Sequence, residues 1–126
     1  MRRIAVSLCA AGVALAAGAG HAAPAGNADR GAALFNRCYI CHSNTKGGAN
    51  RMGPNLFGVI GRKAGTYPGF VYSPAMRKAG FVWTVPKLDA YLADPQKLVP
   101  GNNMPVAGIG DAQQRADIAA YLATLK

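Results

Sequence analysis

The five residues CYICH (38–42) decide how the rest of this 126-residue chain is interpreted. Its two cysteines are three positions apart, and a histidine follows the second one directly. In a helix, residues at positions i, i+3 and i+4 share a face, so we expect Cys38, Cys41 and His42 to point toward one object. Two thiols and an imidazole on one face indicate a site that uses all three groups together.

Three kinds of site fit this pattern poorly. A zinc site needs about four N, S or O ligands, usually from two pairs of Cys or His, and no second pair exists after residue 22. A thioredoxin-like redox pair needs a βαβ surrounding, which the glycine-rich middle of the chain does not supply, and it leaves His42 without a role. A structural bridge between Cys38 and Cys41 would close too small a loop to stabilise the fold much.

C-x-x-C-H is the attachment signature of c-type haem, in which two thiols form thioethers to the vinyl groups and the adjacent imidazole binds the iron. The sequence therefore predicts one covalent haem c held by Cys38 and Cys41, with His42 as an iron ligand. We also expect the chain without haem to be largely unfolded or molten, because the loops after the motif would lose the apolar surface on which they pack.

The N-terminal residues have the form of a secretory signal peptide. Arg2 and Arg3 precede an uncharged run that is interrupted by glycine, is short for a membrane span and ends in small residues. We predict cleavage after Ala22, so that 1–22 is the signal peptide and 23–126 is the mature domain. Cleavage one or three residues later and a retained membrane anchor are the alternatives. Export predicts a periplasmic protein without stable membrane insertion.

Removal of the signal peptide leaves a basic chain with few reactive groups. The loss of Arg2 and Arg3 lowers the net charge from +9 to +7, and Cys38, Cys41 and His42 then form the complete set of thiols and imidazoles. A basic exported chain favours acidic protein partners, whereas nucleic acid is not expected because no basic stripe with interleaved aromatics is present. A chain of this length supports one domain, and we expect a monomer.

Amphipathic segments predict the main helices of an all-α domain. Three long segments and one short segment carry the pattern, and they span 27–38, 84–94, 111–126 and 73–80. The first residue of each segment is the expected N-cap: Asn27, Thr84, Asp111 and Ser73. Pro95 is expected to end the second long helix, and Asp111 and Gln114 form a capping-box pair at the start of the third. The chain between 43 and 83 is rich in glycine and predicts long loops, for which a central haem would supply a core.

The second axial ligand cannot be a histidine, because His42 is the only one left after residue 22. A methionine, a lysine, water and an open position are the alternatives. Met52 follows His42 too closely to reach the opposite face easily, and Met76 lies on the short helix, where an apolar residue more often packs as core. Met104 lies in an extended loop framed by prolines that can present a thioether at a fixed place. We therefore predict Met104 as the second ligand.

The chain resembles the class I cytochromes c of the mitochondrial and related bacterial type, from Gly31 to Leu122. The resemblance rests on CYICH, on Trp83 and on the segments GPNLFGVIGRKAG (53–65), PGFVYSPA (68–75), YLADP (91–95), PGNNM (100–104), AGI (107–109) and RADIAAYL (115–122). It implies a small all-α fold in which three main helices and long loops wrap around one covalent haem. Where the first and last helices cross, it places Gly31 and Phe35 against two residues, Ile118 and Tyr121.

The resemblance also implies roles for individual residues. The carbonyl of Pro54 would accept a hydrogen bond from the ring of His42 and fix its orientation. Tyr91 would lie near the sulfur of Met104. Three further residues would donate hydrogen bonds to a buried haem propionate: Arg62, Tyr72 and Trp83.

The chain departs from the mitochondrial pattern around the expected haem edge. Asn102 and Asn103 stand where those relatives carry threonine and lysine, and Val106 stands where they carry an aromatic residue. Four positions that often hold lysine hold other residues here: Gln96, Gly110, Asp111 and Ala112. Three basic positions match: Arg37, Arg51 and Lys97. The docking face should therefore be less basic than in mitochondrial relatives.

Iron with a histidine and a methionine ligand has no open position for a substrate, and the thioether favours the reduced state. We therefore expect a periplasmic mono-haem cytochrome that carries one electron between redox enzymes and is not itself an enzyme. Its partners would be periplasmic or membrane redox enzymes with acidic docking patches. One alternative is a five-coordinate haem protein with peroxidase-like or gas-binding activity, and another is a cytochrome subunit of a larger redox complex.

Overall fold

The computed structural model describes Gly18, Gly20 and residues 22–126, and within these residues the regular structure is helical. The helices span Ala28–Leu34 (α1), Asn36–Tyr39 (α2), Pro74–Lys78 (α3), Val85–Ala93 (α4), Pro95–Leu98 (α5) and Ala112–Thr124 (α6). The described residues form no strand, and one isolated antiparallel bridge joins Lys63 to Val82. The all-α prediction is therefore confirmed.

Most of the predicted signal peptide lies outside the described residues, so its extent and the cut after Ala22 stay predictions. Among the helices that are described, none is both long enough and apolar enough to cross a membrane. The described helices all lie in the part of the chain that was predicted to be the mature domain.

The helix starts follow from local side-chain capping. At the start of the four predicted helices a side-chain oxygen accepts a hydrogen bond from the backbone N–H three positions on, at 2.9–3.2 Å; the capping residues are Asn27, Ser73, Thr84 and Asp111. All four are the caps that the sequence predicts. The capping box is only half formed, because the side chain of Gln114 accepts a hydrogen bond from Arg37 Nη1 at 3.3 Å instead of reaching back to Asp111.

Apart from shifts of one or two residues at helix ends, the helices differ from the sequence prediction in two places. The first predicted helix divides at Phe35 into α1 and α2, where the N–H of Cys38 bonds to the carbonyl three residues back, at 2.8 Å. Pro95 ends α4 as expected, but it also begins α5, which the sequence analysis missed. The Asp94 side chain caps this short helix by accepting from the N–H of Lys97 at 3.1 Å. Proline fits the first helical position because an N–H there would have no partner.

Helices α1 and α6 cross in close contact at Gly31. A Cβ atom built on Gly31 would lie 1.9 Å from the carbonyl oxygen of Asp117 and 2.7 Å from Cβ of Tyr121, so no side chain fits at this position. The buried ring of Phe35 packs on Tyr121 with 5.4 Å between ring centroids, and Ile118 is buried on the same helix. The crossing therefore forms where the resemblance implied.

The side chain of Asp117 ties the start of α1 to α6. Its carboxylate accepts hydrogen bonds from Arg30 Nε and Nη2 at 2.8 and 3.0 Å, from the N–H of Asn27 at 2.8 Å and from Gln113 Nε2 at 3.0 Å. The hydrogen bonds from Arg30 hold the pKa of this carboxyl well below its usual range, although the group is buried. The sequence analysis did not anticipate this role.

The hydrophobic core draws on loops as well as helices. Its buried members are Phe35, Val59, Ala64, Met76, Trp83, Leu88, Tyr91, Val99, Ile118, Ala119 and Leu122. Val59, Ala64 and Trp83 belong to the long segment between the CYICH motif and α4, apart from the short helix α3. The loops are therefore part of the packed interior, as expected for a fold in which loops enclose the site.

Candidate functional site

Helical hydrogen bonding continues through CYICH past the end of α2. The N–H groups of Cys41 and His42 both donate to the Cys38 carbonyl, at 3.0 and 2.9 Å. The bond from His42 spans four residues, so the three side chains follow one helical turn. In the described part of the chain neither Cys38 nor Cys41 is bridged, and both are partly buried. Burial raises the pKa of Cys38, and the charge of Arg37 only partly offsets this rise.

The imidazole of His42 is held in one orientation. Its Nδ1 lies 2.7 Å from the carbonyl oxygen of Pro54. Because a carbonyl can only accept, Nδ1 carries the hydrogen and Nε2 keeps its lone pair. Gly53 packs against the ring, since a Cβ built there would lie 2.3 Å from His42 Cε1. Burial lowers the pKa of His42 although the Pro54 hydrogen bond opposes this change, so burial favours the neutral ring that a metal ligand requires.

The loop that carries Pro54 is organised by Asn55, which is fully buried. Its amide Nδ2 donates to the carbonyls of Thr45 and Gly48 at 2.8 and 3.0 Å, and its Oδ1 accepts from the N–H of Phe57 at 2.9 Å. A loop backbone can be buried only if its polar groups find partners, and Asn55 supplies three of them. Sequence reasoning missed Asn55, which lies directly after Pro54 in the motif that the resemblance uses.

Arg62 reaches into this loop from the other side. Its Nη1 and Nη2 atoms donate to the carbonyls of Asn55 and Phe57 at 2.9 and 2.6 Å, and its guanidinium lies 4.3 Å from the ring centroid of Tyr67. Burial lowers the pKa of Arg62. A guanidinium has five N–H donors, so the two bonds to these carbonyls leave donors for an anionic group such as a propionate.

Tyr72 and Trp83 both lie next to Arg62. The backbone N–H of Trp83 donates to the backbone carbonyl of Arg62 at 2.8 Å, and the Tyr72 hydroxyl accepts from the backbone N–H of Tyr67 at 3.3 Å. Burial raises the pKa of Tyr72, while the hydrogen bond from Tyr67 and the Arg62 charge lower it. The structure thus brings together the three residues that the sequence analysis assigned to one haem propionate.

Tyr91 connects this group to the loop after α5. Its ring packs edge-on against Trp83 with 5.1 Å between centroids. Its hydroxyl donates to Asn102 Oδ1 at 3.2 Å, and burial raises the pKa of Tyr91 to about 12. The resemblance places Tyr91 near the sulfur of Met104, and the structure directs its hydroxyl hydrogen to Asn102 in the same loop.

The three methionines after residue 22 have different surroundings. Met52 is 76% exposed, and Met76 is buried in α3 as part of the core. Met104 is half-buried at the edge of the core, in a loop without regular structure. Its backbone N–H donates to Asn102 Oδ1 at 2.9 Å. Met104 is thus the one whose thioether is neither largely solvent-exposed nor buried within a helix.

The donor set fits a covalently attached haem. Cys38 and Cys41 are unbridged thiols on one helical turn, and His42 presents a neutral ring with Nε2 unprotonated. Met104 adds a thioether from a half-buried loop. Imidazole and thioether are the axial ligands that haem iron takes in electron-transfer proteins.

Comparison with known proteins agrees with this chemistry. The family model described as Cytochrome c matches residues 28–126. Cytochrome c2 of Rhodopila globiformis is 50% identical over 105 residues, which cover 82% of this chain and 98% of that protein. Cytochrome c of Chlamydomonas reinhardtii is 46% identical over 101 residues, which cover 79% of this chain and 90% of that protein. The solved structure of cytochrome cH from Methylobacterium extorquens has a TM-score of 0.74 at 43% identity. The match covers 79% of this chain and 99% of that protein.

The matches extend over nearly all of the domain that the structure describes, so the predicted resemblance to class I cytochromes c is confirmed. Proteins of this family bind one covalent haem c with iron and are electron carriers rather than enzymes. The same cofactor and the same general function apply to this protein. The chain belongs to the cytochrome c family.

Proposed function

We propose that the protein is a periplasmic mono-haem cytochrome that carries one electron at a time between redox enzymes, with His42 and Met104 as the iron ligands. The observation that carries this proposal is the orientation of His42. Its Nδ1 is bound to the Pro54 carbonyl at 2.7 Å, which leaves Nε2 for a metal on the same helical turn as two unbridged thiols. Haem iron supplies reversible one-electron chemistry when bound.

The residues of the site would bind the haem and leave no position on the iron for a substrate. Cys38 and Cys41 would fix the haem covalently, and Met104 would complete the coordination so that no substrate position remains. Arg62 is partly buried and has N–H donors beyond the two that bind backbone carbonyls, so it would hold a propionate by charge-assisted hydrogen bonds. The same burial would restrict water around the charged groups.

A basic and apolar surface beside the cysteines would dock the partners. Ile40, between the two cysteines, is 75% exposed, and Met52 is also exposed. Arg51 is held next to them, because its Nη1 donates to the Tyr39 carbonyl at 2.7 Å and its guanidinium lies 4.5 Å from the Tyr39 ring centroid. Arg37 adds a second exposed charge. Exposed apolar side chains beside fixed positive charges suit brief contacts with acidic redox partners.

The proposed location rests on the N-terminal sequence and on the bacterial relatives named cytochrome c2 and cytochrome cH. Expression of the full chain in a bacterium that matures c-type cytochromes would test it. The red protein should appear in the periplasmic fraction, and its mass should equal that of residues 23–126 plus one haem. Retention in the membrane fraction at full-length mass would contradict the proposal.

Carbon monoxide tests the ligand assignment in the reduced, purified protein. We expect little binding by the natural chain, because Met104 occupies the iron, and rapid binding by Met104→Leu. Met52→Leu is the control, since Met52 is exposed, and it should behave like the natural chain. If the natural chain and Met104→Leu bind carbon monoxide equally well, Met104 is not a ligand and the five-coordinate alternative is correct.

A further inference from the structure

We infer that Asn102 is a positioning residue for Met104: its side-chain amide fixes the backbone that presents the thioether and also takes the hydroxyl hydrogen of Tyr91. This inference rests on the proposed ligation of the iron by Met104. Asn102 replaces the threonine of the mitochondrial pattern, so its role does not follow from the resemblance.

Both ends of the Asn102 amide are bonded, and the residue is only 6% exposed. Oδ1 accepts from the N–H of Met104 at 2.9 Å and from the hydroxyl of Tyr91 at 3.2 Å. Nδ2 donates to the carbonyl of Val99 at 3.0 Å. An amide oxygen has two lone pairs, and here both are used. One side chain thus joins the ligand's backbone, helix α4 and the end of α5.

The main chain of Asn102 is held as well. Its carbonyl accepts from Gln96 Nε2 at 2.9 Å, and its N–H donates to the carbonyl of Val99 at 3.1 Å. Gln96 Oε1 in turn accepts from the N–H of Gly101 at 3.0 Å. The loop before Met104 has no helix or strand of its own, so these bonds to α5 replace the regular hydrogen bonding that would otherwise fix its shape.

The two neighbouring asparagines differ in what they contact. Asn103 is exposed, and its side chain makes no hydrogen bond with any described residue. Only Asn102 therefore combines burial with bonds on both sides of the loop. A leucine at 102 would have the same branched shape with a larger volume, and it would leave the N–H of Met104 and the hydroxyl of Tyr91 without their acceptor.

The bond from Tyr91 also has a chemical consequence. A hydroxyl has one hydrogen, and the amide oxygen of Asn102 can only accept, so this hydrogen is directed at Asn102 Oδ1. Tyr91 then acts on the ligand through Asn102, by keeping Oδ1 in place for the N–H of Met104.

Imidazole binding to the oxidised holoprotein tests this role, because added imidazole competes with the Met104 thioether for the iron. Asn102→Leu should raise the apparent affinity for imidazole about tenfold or more, since each lost bond to a buried group is worth up to about a factor of ten. Asn102→Thr keeps one acceptor and should give an intermediate increase. The matched control Asn103→Leu should stay within about twofold of the natural chain, as surface substitutions generally do.

A second control separates positioning from general stability. Asp117→Asn weakens the distant α1–α6 crossing, so it should lower the free energy of unfolding without changing imidazole affinity. The inference is overturned if Asn102→Thr lowers the free energy of unfolding but matches Asn103→Leu in imidazole affinity. The same holds for Asn102→Leu if that variant folds. If Met104→Leu leaves the oxidised spectrum and the imidazole affinity unchanged, the proposed ligation itself is wrong.

Discussion

The backbone of Gly31 in α1 lies directly against the carbonyl of Asp117 in α6, where an added Cβ would come within 1.9 Å of the oxygen. The side chain of Asp117 accepts hydrogen bonds from Asn27 and Arg30 at the start of α1. Helix α1 leads through α2 into CYICH, so this crossing anchors the start of the helical segment that precedes the motif.

Gly31→Ala should therefore destabilise the holoprotein by about 1–3 kcal/mol, because the helices would have to separate to make room for a methyl group. Denaturant unfolding of the oxidised protein measures the change. Gly110→Ala is the matched control, since a Cβ at Gly110 meets nothing within 4 Å and the substitution should change stability little. Equal effects of the two alanines would show that the close approach is not important.

Asp117 should make the protein's stability depend on pH in the acid range. Its pKa in the folded protein is held below the unfolded value of about 4 by the hydrogen bonds from Arg30, so its contribution is present above pH 4 or so and is lost as the pH falls further. Asp117→Asn should be less stable than the natural chain near neutral pH, and the difference should shrink in acid.

Unfolding at several pH values between about 3 and 7 measures this difference, since the window spans the unfolded pKa. Asp29→Asn is the control, because Asp29 is exposed in the first turn of α1 and makes no ion pair with a described residue. A gap between Asp117→Asn and the natural chain that stays constant over the whole range would contradict the prediction.

The local features of this fold could be predicted from the sequence, and the long-range polar contacts could not. The caps Asn27, Ser73, Thr84 and Asp111 act on N–H groups three positions away, so they are visible in the sequence. Helix α5 was missed because Pro95 suggested an end, whereas proline is also suited to begin a helix.

The buried polar residues were missed for a different reason. Asp117 binds Arg30 and Asn27 from 87 and 90 residues away, and no sequence pattern connects such positions. Asn55 and Asn102 were missed although their partners are near in the chain, because asparagine is common in exposed turns and nothing in the sequence shows that these two are buried. By contrast, the spacing of Cys38 and His42 could be interpreted directly, since it fits one helical turn.

Gly53→Ala should disturb the ring of His42, the proposed iron ligand, without replacing either proposed ligand residue. The added Cβ would lie 2.3 Å from His42 Cε1, so the ring must move and its 2.7 Å hydrogen bond to Pro54 must lengthen. We expect a loss of about 1–3 kcal/mol of holoprotein stability and a changed haem spectrum. Absorption and unfolding measurements would follow both, with Gly110→Ala as the control. An unchanged spectrum would mean that Gly53 does not set the ring position.

Arg51 should accelerate electron transfer with anionic partners. Ferricyanide is a small anionic oxidant, so its reaction with the reduced protein should slow as salt is added. Arg51→Gln should lower the rate at low salt by about twofold or more and weaken the salt dependence. Lys126→Gln removes the same charge at the C-terminal residue and should have a smaller effect. Rates that do not depend on ionic strength, or equal effects of both variants, would contradict a local role for Arg51.

The covalent haem should be required for folding. Val59, Ala64 and Trp83 are core residues that come from the long segment after CYICH, and the regular structure of this segment is limited to the short helix α3. The double variant Cys38→Ala/Cys41→Ala cannot form thioethers, so we expect it to lose haem and cooperative unfolding together. Circular dichroism during heating measures the loss, with Met52→Leu as a control that keeps both cysteines. A cooperative melt of the haem-free double variant like that of the natural chain would show that the protein alone forms a sufficient core.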